Sequence, residues 1–375
     1  MSVSYIPESV KMRLWGKAAG RCQYEGCNKP LWLDSLTQCE FNTAYIAHII
    51  ADKPRGPRGH ETLSEQLASD ITNLMLMCDD HHRLIDKQDV DGHPVERLCK
   101  MKKKHEERIE LVTSITENMK SHVLLYGGNI GEHTTPLNWK DTTFAMLPNR
   151  YPDENHAIEL SLKNSSFYDN QAVYWTIESE QLKNQFRDKV KGKLESSENK
   201  HLSVFALAPQ PLLILLGTLI SDLYPAEVYQ LGREPQTWKW RDEYDGFEYE
   251  VIEPIEIHKK VAINLSLSAT IDNSRITNVI GGDTSIWTIT IPSPNPDFLK
   301  GKNQLRQFRV LMRGLFNKIK LIHGEDSVIH IFPATSVSTA VELGRVWMSK
   351  ADLPLSLYDE NKKIGGFQYA FSIGK

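Results

Sequence analysis

Two cysteines in the run RCQYEGC, Cys22 and Cys27, are followed further along the chain by Cys78 and His81 in CDDHHRLID. Two thiols and a later Cys-x-x-His offer four soft ligands, a set suited to tetrahedral zinc. Such a site closes loops that a small domain could not hold by burial alone. Outside that cage stand His48 in YIAHII, Asn73 in ITNLML, and His82 with Asp86 one helical turn beyond it. Imidazole changes charge near neutral pH, so these histidines are equipped for acid–base work or for ligating a metal with an open position.

The pattern Cys-x4-Cys, then AHI, then N-L-x-L-x-C-x-x-H-H resembles the HNH endonucleases, whose ββα-metal fold is stapled by zinc. The resemblance implies roles residue by residue. His48 is the general base that deprotonates the attacking water. Asn73 holds the imidazole of His48, and His82 ligates one catalytic divalent ion, magnesium or manganese, at the scissile phosphate. Phosphodiester hydrolysis needs both an activated nucleophile and a Lewis acid for the charge that builds on the phosphoryl group. A zinc with four protein ligands has no position left for that second task. The family often has a metal ligand directly before the base; here that position is Ala47. Asp86, on the same helical face as His82, is the candidate second ligand. The competing reading is a zinc-stapled DNA-binding module that cuts nothing.

Composition limits the partners. The chain has 375 residues and a formal net charge of −4, so it does not coat nucleic acid, and any DNA contact must be local. Lys53, Arg55 and Arg58 lie in a Gly/Pro loop just after His48 and are the preferred DNA contacts. A second basic run, Arg97 to Arg108, reads equally well as a solvated helix face. Cys39 and Cys99 read as small buried residues. The N-terminus lacks the pattern of a secretory signal, and PLLILLGTLI is too short to span a bilayer. Five cysteines, four of them best used as or beside metal ligands, fit a reducing, cytoplasmic setting rather than a disulfide framework.

The expected layout is a module over residues 1–125 ending in a helix from Glu106 to Leu125. A linker over 126–151 and a larger domain over 152–375 follow. The larger domain carries a faint duplication, with halves at about 152–250 and 251–375. AIELSL (from Ala157) echoes AINLSL (from Ala262), and VYWTIE (from Val173) echoes SIWTIT (from Ser285). SVFALAPQPLLILLGTLI echoes VIHIFPATSVSTAVELGRV, with Gly217 opposite Gly344. Each half predicts strand, strand, helix, strand, helix, strand, which is α/β architecture on a mostly parallel sheet.

The closing run VIHIFPATSVSTAVELGRVWMSKADLPLSLYDENKKIGGFQYAFSI resembles the end of SAVED domains, fused pairs of a Rossmann-like sensor fold associated with CRISPR systems. That resemblance spans roughly 152–375 and implies binding of a cyclic di- or trinucleotide. HNH followed by SAVED resembles the effector nucleases of cyclic-oligonucleotide-based anti-phage signalling (CBASS). It implies cutting of double-stranded DNA once ligand drives a homo-oligomer, a dimer or tetramer, together. Ligands of open α/β sheets lie beyond the carboxyl ends of the strands. There KNSS, Ser268, Thr270, Pro209, Gln210, Thr335 and Ser336 are the candidate contacts, joined by Arg306 for charge and Trp240 for base stacking. Ser336 and Thr335 could equally cap a helix. Trp175 and Trp287 fit core packing better than stacking, and Glu342 with Arg345 could be a structural pair. No glycine-rich phosphate fingerprint appears, so NAD and ATP are not supported.

Overall fold

The computed structural model describes residues 5–127, 137–161, 171–241, 246–361 and 365–374. The chain divides into two compact units, Met1–Ile115 and Thr116–Lys375.

In the first unit, helix α1 (Glu8–Ala18) places Leu14 and Ala18 inward and stops on two left-handed residues, Ala19 and Gly20. A side chain at Gly20 would meet the Trp32 ring at 2.7 Å, so the turn requires glycine. Strands β1 (Tyr45–His48) and β2 (Leu74–Met77) pair antiparallel, with His48 opposite Leu74. All four residues of β2 are buried. Cys78 then starts α2 (Asp79–Arg83), which runs on through a wider turn to Gln88. Pro94 precedes α3 (Val95–Thr113), whose fixed φ suits a helix start. The helix expected to reach Leu125 therefore ends at Thr113. Lys120–Gly127 is instead a strand, β3, of the second unit, because Val123 to Tyr126 is a run of buried apolar residues suited to a parallel ladder.

The second unit holds two sheets with a common plan. The first carries β3, β4 (Tyr151–Pro152), β5 (Ile158–Ser161), β6 (Leu202–Leu207) and β7 (Ala226–Val228), all parallel, with β3 between β5 and β6. Helix α4 (Trp139–Met146) follows β3, α5 (Ala172–Gln185) follows β5, and α6 (Gln210–Ile220) follows β6. A short hairpin of β8 (Gly232–Arg233) and β9 (Gln236–Thr237) comes next. The second sheet runs β10 (Glu250–Ile252), β12 (Thr284–Thr290), β11 (Lys260–Ser266), β13 (Ile329–Ala334), β14 (Leu355–Asn361), β15 (Gly366–Ile373). Its edge strands β10 and β15 are antiparallel and the rest parallel. Its helices are α7 (Asn273–Ile280), α8 (Lys302–His323) and α9 (Val337–Val346).

The order β5-β3-β6-β7 thus repeats as β12-β11-β13-β14. This shifts the expected duplication by one element. The equivalent of AINLSL in β11 is β3, and AIELSL in β5 corresponds to β12. VYWTIE is helical, not a strand: it opens α5, where Trp175, Leu182 and, in the following turn, Phe186 share one buried face. Trp175 and Trp287 are each 1% exposed and belong to the core.

The halves meet where α6 packs on α9. A Cβ on Gly217 would lie 2.0 Å from the Val341 carbonyl, and one on Gly344 would lie 1.9 Å from the Ile214 carbonyl. The contacts are reciprocal between equivalent positions, so the seam is a local pseudo-twofold, and both glycines are required there. Arg345 adds a polar tie: it pairs with Glu342 at 2.7 Å and donates to the Ala226 and Tyr224 carbonyls of the first half. Glu342 and Arg345 are structural.

Candidate functional site

In Met1–Ile115, the chain before β1, the end of β2 and the start of α2 bring Cys22, Cys27, Cys78 and His81 together, with ligand atoms all within 4.8 Å of one another. His81 Nδ1 lies 3.7 Å from Cys22 Sγ and 3.1 Å from Cys78 Sγ. A tetrahedral ion with bonds near 2.3 Å to sulfur and 2.0 Å to nitrogen sets such atoms about 3.5 Å apart, so the cluster fits one. Burial pushes the Cys22 and Cys78 thiols up and holds His81 down, toward the neutral imidazole that a metal needs. The Tyr24 ring stacks on His81 at 4.0 Å. His93 donates from Nδ1 to the Asp89 carbonyl (2.6 Å), leaving Nε2 to accept from the Tyr24 hydroxyl (3.0 Å). These two supports were not picked out in the sequence, where only the position of Tyr24 between two ligands hints at them. Cys39 and Cys99 are exposed, not buried as expected.

His48 closes β1 and is 7% exposed. Its Nε2 lies 2.9 Å from the Ala68 carbonyl. A carbonyl only accepts, so Nε2 carries the proton and Nδ1 of the neutral ring keeps its lone pair. Asn73 does not hold that imidazole, contrary to the expected role. Its Oδ1 accepts from Ile50 N (2.8 Å) and its Nδ2 donates to the Ile50 and Leu67 carbonyls (2.8 and 3.2 Å), clamping the backbone just after His48.

His82 Nε2 lies 3.3 Å from Asp86 Oδ2, and Tyr45 stacks on the His82 ring at 5.0 Å. Two cis ligands of an octahedral ion with bonds near 2.1 Å stand about 3 Å apart, so the pair suits a hard divalent ion. Burial raises the Asp86 carboxyl, but hydrogen bonds from His82 and Arg58 outweigh it and hold the group below the usual carboxylate range.

Arg58 is not a surface arginine. Its side chain is 5% exposed. It donates from Nε to Ile49 O (2.7 Å), from Nη1 to Ile85 O (2.6 Å), and from Nη2 to Asp86 Oδ1 (2.6 Å) and His48 O (3.4 Å). A guanidinium this buried, with each of its three nitrogens bonded inward, is not placed to meet a phosphate, which corrects its place among the DNA contacts. Lys53 and Arg55 are exposed and have no ion pair among the described residues. The basic run on α3 is largely matched internally: Lys102 with Glu106, Lys103 with Glu107, Lys104 with Glu25, and Arg108 with Asn28.

In Thr116–Lys375 the carboxyl ends of β6, β11 and β13 converge. Gln210 Nε2 donates to the Thr335 carbonyl (3.0 Å), and Ser268 N donates to the Ala334 carbonyl (2.8 Å). Pro209 starts α6 with its carbonyl accepting from Leu212 N and Leu213 N. Ser336 caps α9 through Thr339 N, and the Thr335 hydroxyl pairs with that of Thr339. Both are buried, and Ser336 fills the capping place. Thr270 is exposed on the loop after β11. That loop is pinned by a buried network: Ser266 Oγ to Asn264 Oδ1 (2.8 Å), Ile271 N to Ser266 Oγ (2.9 Å), and Asn264 Nδ2 to Ile271 O (2.9 Å). Asn264 and Ser266 went unnoticed in the sequence, although two polar residues on one face of a buried strand signal such a network. Trp240 and Arg306 line a different cavity, of about 150 Å³, beside Glu227, Lys302 and Glu342. KNSS lies outside the described residues.

Among the described residues no helix is long and apolar enough to cross a membrane. The family model of the SMODS-associated and fused to various effectors sensor domain (SAVED) matches residues 182–373, beginning within α5. No curated protein matches the chain. Solved structures with a similar outline include the Acinetobacter baumannii Cap4 SAVED/CARF-domain containing receptor with the cyclic trinucleotide 2′3′3′-cAAA. It has TM-score 0.45 and 10% identity, with 79% of this chain and 60% of that one covered. The same receptor with 3′3′3′-cAAA gives TM-score 0.44 and 11% identity, over 79% and 60%. The Moraxella osloensis Cap4 receptor gives 0.43 and 11%, over 77% and 60%. The match thus spans about 60% of the length of these receptors.

Proposed function

The chain belongs to the SAVED sensor-domain family, and from that membership we propose a cyclic-oligonucleotide-activated DNA endonuclease, an effector of CBASS anti-phage defence. In this reading Thr116–Lys375 is the sensor, taking a cyclic di- or trinucleotide at the carboxyl ends of its two sheets. Met1–Ile115 is an HNH-type nuclease stapled by zinc on Cys22, Cys27, Cys78 and His81. The observation that carries the nuclease half is one juxtaposition: a closed four-ligand cluster beside His82 and Asp86, with His48 held as the Nε2-protonated tautomer.

His82 and Asp86 would hold a magnesium or manganese ion, which supplies Lewis acidity against charge on the phosphoryl oxygens. His48 Nδ1 takes the proton from the attacking water, and the Ala68 carbonyl, already bound to Nε2–H, stabilises the imidazolium that results. Asn73 keeps the backbone after His48 in place. Lys53 and Arg55 are the remaining cations beside His48 for the DNA backbone. One such site cuts one strand, so a duplex break needs paired modules, which ligand-driven oligomerisation would provide.

The test is degradation of plasmid DNA with magnesium, with and without 2′3′3′-cAAA, 3′3′3′-cAAA and a panel of other cyclic di- and trinucleotides, alongside particle mass. Cutting that rises with one ligand, and that falls by about 10²–10⁴ in His48→Ala, is the expected result. Equal cutting without ligand removes the gating. Protection of a discrete sequence with no metal-dependent loss of DNA would make the protein a ligand-responsive DNA-binding regulator, and cleavage of RNA alone would change the substrate.

A further inference from the structure

Residues 53–59, KPRGPRG, form a loop built to bury one arginine. Gly56 and Gly59 have no room for side chains: a Cβ would stand 2.6 Å from Ala51 Cβ and 2.3 Å from the Pro54 carbonyl. Ala51 N donates to the Pro57 carbonyl, pulling the loop back onto the segment that leaves β1. Arg58 itself sits at φ +57°, a left-handed backbone conformation that a long side chain adopts only when its surroundings enforce it. The outcome is a guanidinium whose contacts fall on two different elements. His48 ends β1 and Ile49 directly follows it, while Ile85 and Asp86 belong to the turn after α2.

We propose that Arg58 is a positioning residue for the cleavage site, fixing the strand end that carries His48 against the turn that carries Asp86 and, through it, His82. This rests on the nuclease reading. Two features make the link more than a fold contact. The bond to Asp86 Oδ1 leaves Oδ2 as the oxygen turned to His82 Nε2, so the arginine selects which carboxylate oxygen faces the candidate ion. The bond to Ile49 O acts one residue before Ile50, whose backbone Asn73 clamps on both sides. Arg58 and Asn73 therefore hold consecutive residues after His48 from opposite partners. A lysine here could reach one of these acceptors, whereas the planar fork reaches them together.

The experiment uses the full chain with Arg58→Lys, Arg58→Ala and, as the phosphate-contact control, Lys53→Ala. Cleavage is measured with magnesium and the activating cyclic nucleotide. Arg58→Lys is expected to lower kcat by on the order of 100-fold, the effect of misplacing reacting groups by about 1 Å, with KM for DNA and its salt dependence unchanged. Added guanidinium ion is expected to restore part of the activity of Arg58→Ala. Lys53→Ala should instead weaken DNA binding and reduce the salt slope by about one ion. If Arg58→Lys behaves like Lys53→Ala, or cleaves like the unaltered chain, the proposal is overturned. Loss of cooperative unfolding in both arginine variants also overturns it, because the residue would then hold the whole unit. A second readout needs no cleavage: exchange of the His48 Nε2 proton and the Asn73 amide protons, followed by NMR, is expected to quicken about tenfold in Arg58→Lys, equivalent to about 1.4 kcal/mol of lost local stability. Unchanged exchange sinks the positioning role. Quickened exchange in a chain that cuts no nucleic acid sinks the nuclease reading and leaves the strap in place.

Discussion

Gly217→Ala and Gly314→Ala make the same chemical change in two helices of Thr116–Lys375, and the structure assigns them opposite signs. At Gly217 the new methyl would stand 2.0 Å from the Val341 carbonyl and 2.9 Å from Arg345 N, both backbone atoms of α9. Ordinary contact begins at 3.4 Å, so α6 and α9 must separate by more than about 1 Å, in a seam where neither backbone can turn aside. Overpacking of this kind costs about 1–3 kcal/mol or more, and the better helix propensity of alanine returns only about 0.8–1 kcal/mol. A methyl set 2.0 Å from a fixed backbone atom calls for the upper part of that range, so the net loss is about 1–2 kcal/mol and lowers the midpoint of a unit this size by about 2–8 °C. Gly314 lies on the exposed side of α8 with nothing within 4 Å of its added methyl, so alanine there should raise the midpoint by about 2–4 °C. Gly344→Ala should match Gly217→Ala. The double variant should cost less than the sum, since helices already spread by one methyl admit the second more easily. Thermal unfolding of the full chain, with hydrogen exchange of peptides over β6 and β13 to identify the transition, measures all four. If Gly217→Ala is as stabilising as Gly314→Ala, α6 and α9 are not in backbone contact, and the pairing of the two halves described above is wrong.

Three further outcomes follow from the same geometry. Cys22→Ser should remove about one equivalent of zinc per chain by emission spectrometry and unfold Met1–Ile115 while the β6 and β13 peptides stay protected; full zinc content in that variant would refute the four-ligand set. Burial, reinforced by the Arg150 charge, pushes the His201 imidazole down to about 4. The unfolded chain takes that proton near 6.5, so between about pH 6.5 and 4 the unfolded state binds more protons and stability falls as pH drops. His201→Gln should flatten that acid limb in urea titrations, and an unchanged limb would rule the histidine out. Asn264→Ala breaks the bonds that pin the Ser268–Thr270 loop. If the sensor reading holds, it should weaken binding of whichever cyclic nucleotide of the panel the chain takes by about tenfold, equivalent to about 1.4 kcal/mol in calorimetry.

What the chain discloses in advance depends on how far each residue's role is set by its own neighbours. The metal-competent cluster was readable because four soft ligands at short spacing have few other uses, and the structure brings all four together. Gly217 and Gly344 were readable as counterparts because only glycine tolerates such an approach. VYWTIE misled because β-branched and aromatic residues favour strands locally; the helix is visible only when the period is followed on to Leu182 and Phe186, where the apolar spacing becomes helical. β3 was hidden for the converse reason. His122 to Tyr126 follows directly on a helical pattern, and its strand identity comes from β5 and β6, which lie far along the chain. Arg58 is the sharpest case. Its neighbours are Gly, Pro and other cations, the composition of an exposed phosphate-binding loop, yet Asp86 and three carbonyls draw it inward. Burial of an arginine is decided by acceptors elsewhere in the fold, so local composition identifies Lys53 and Arg55 as cations free to meet an anion but cannot separate Arg58 from them.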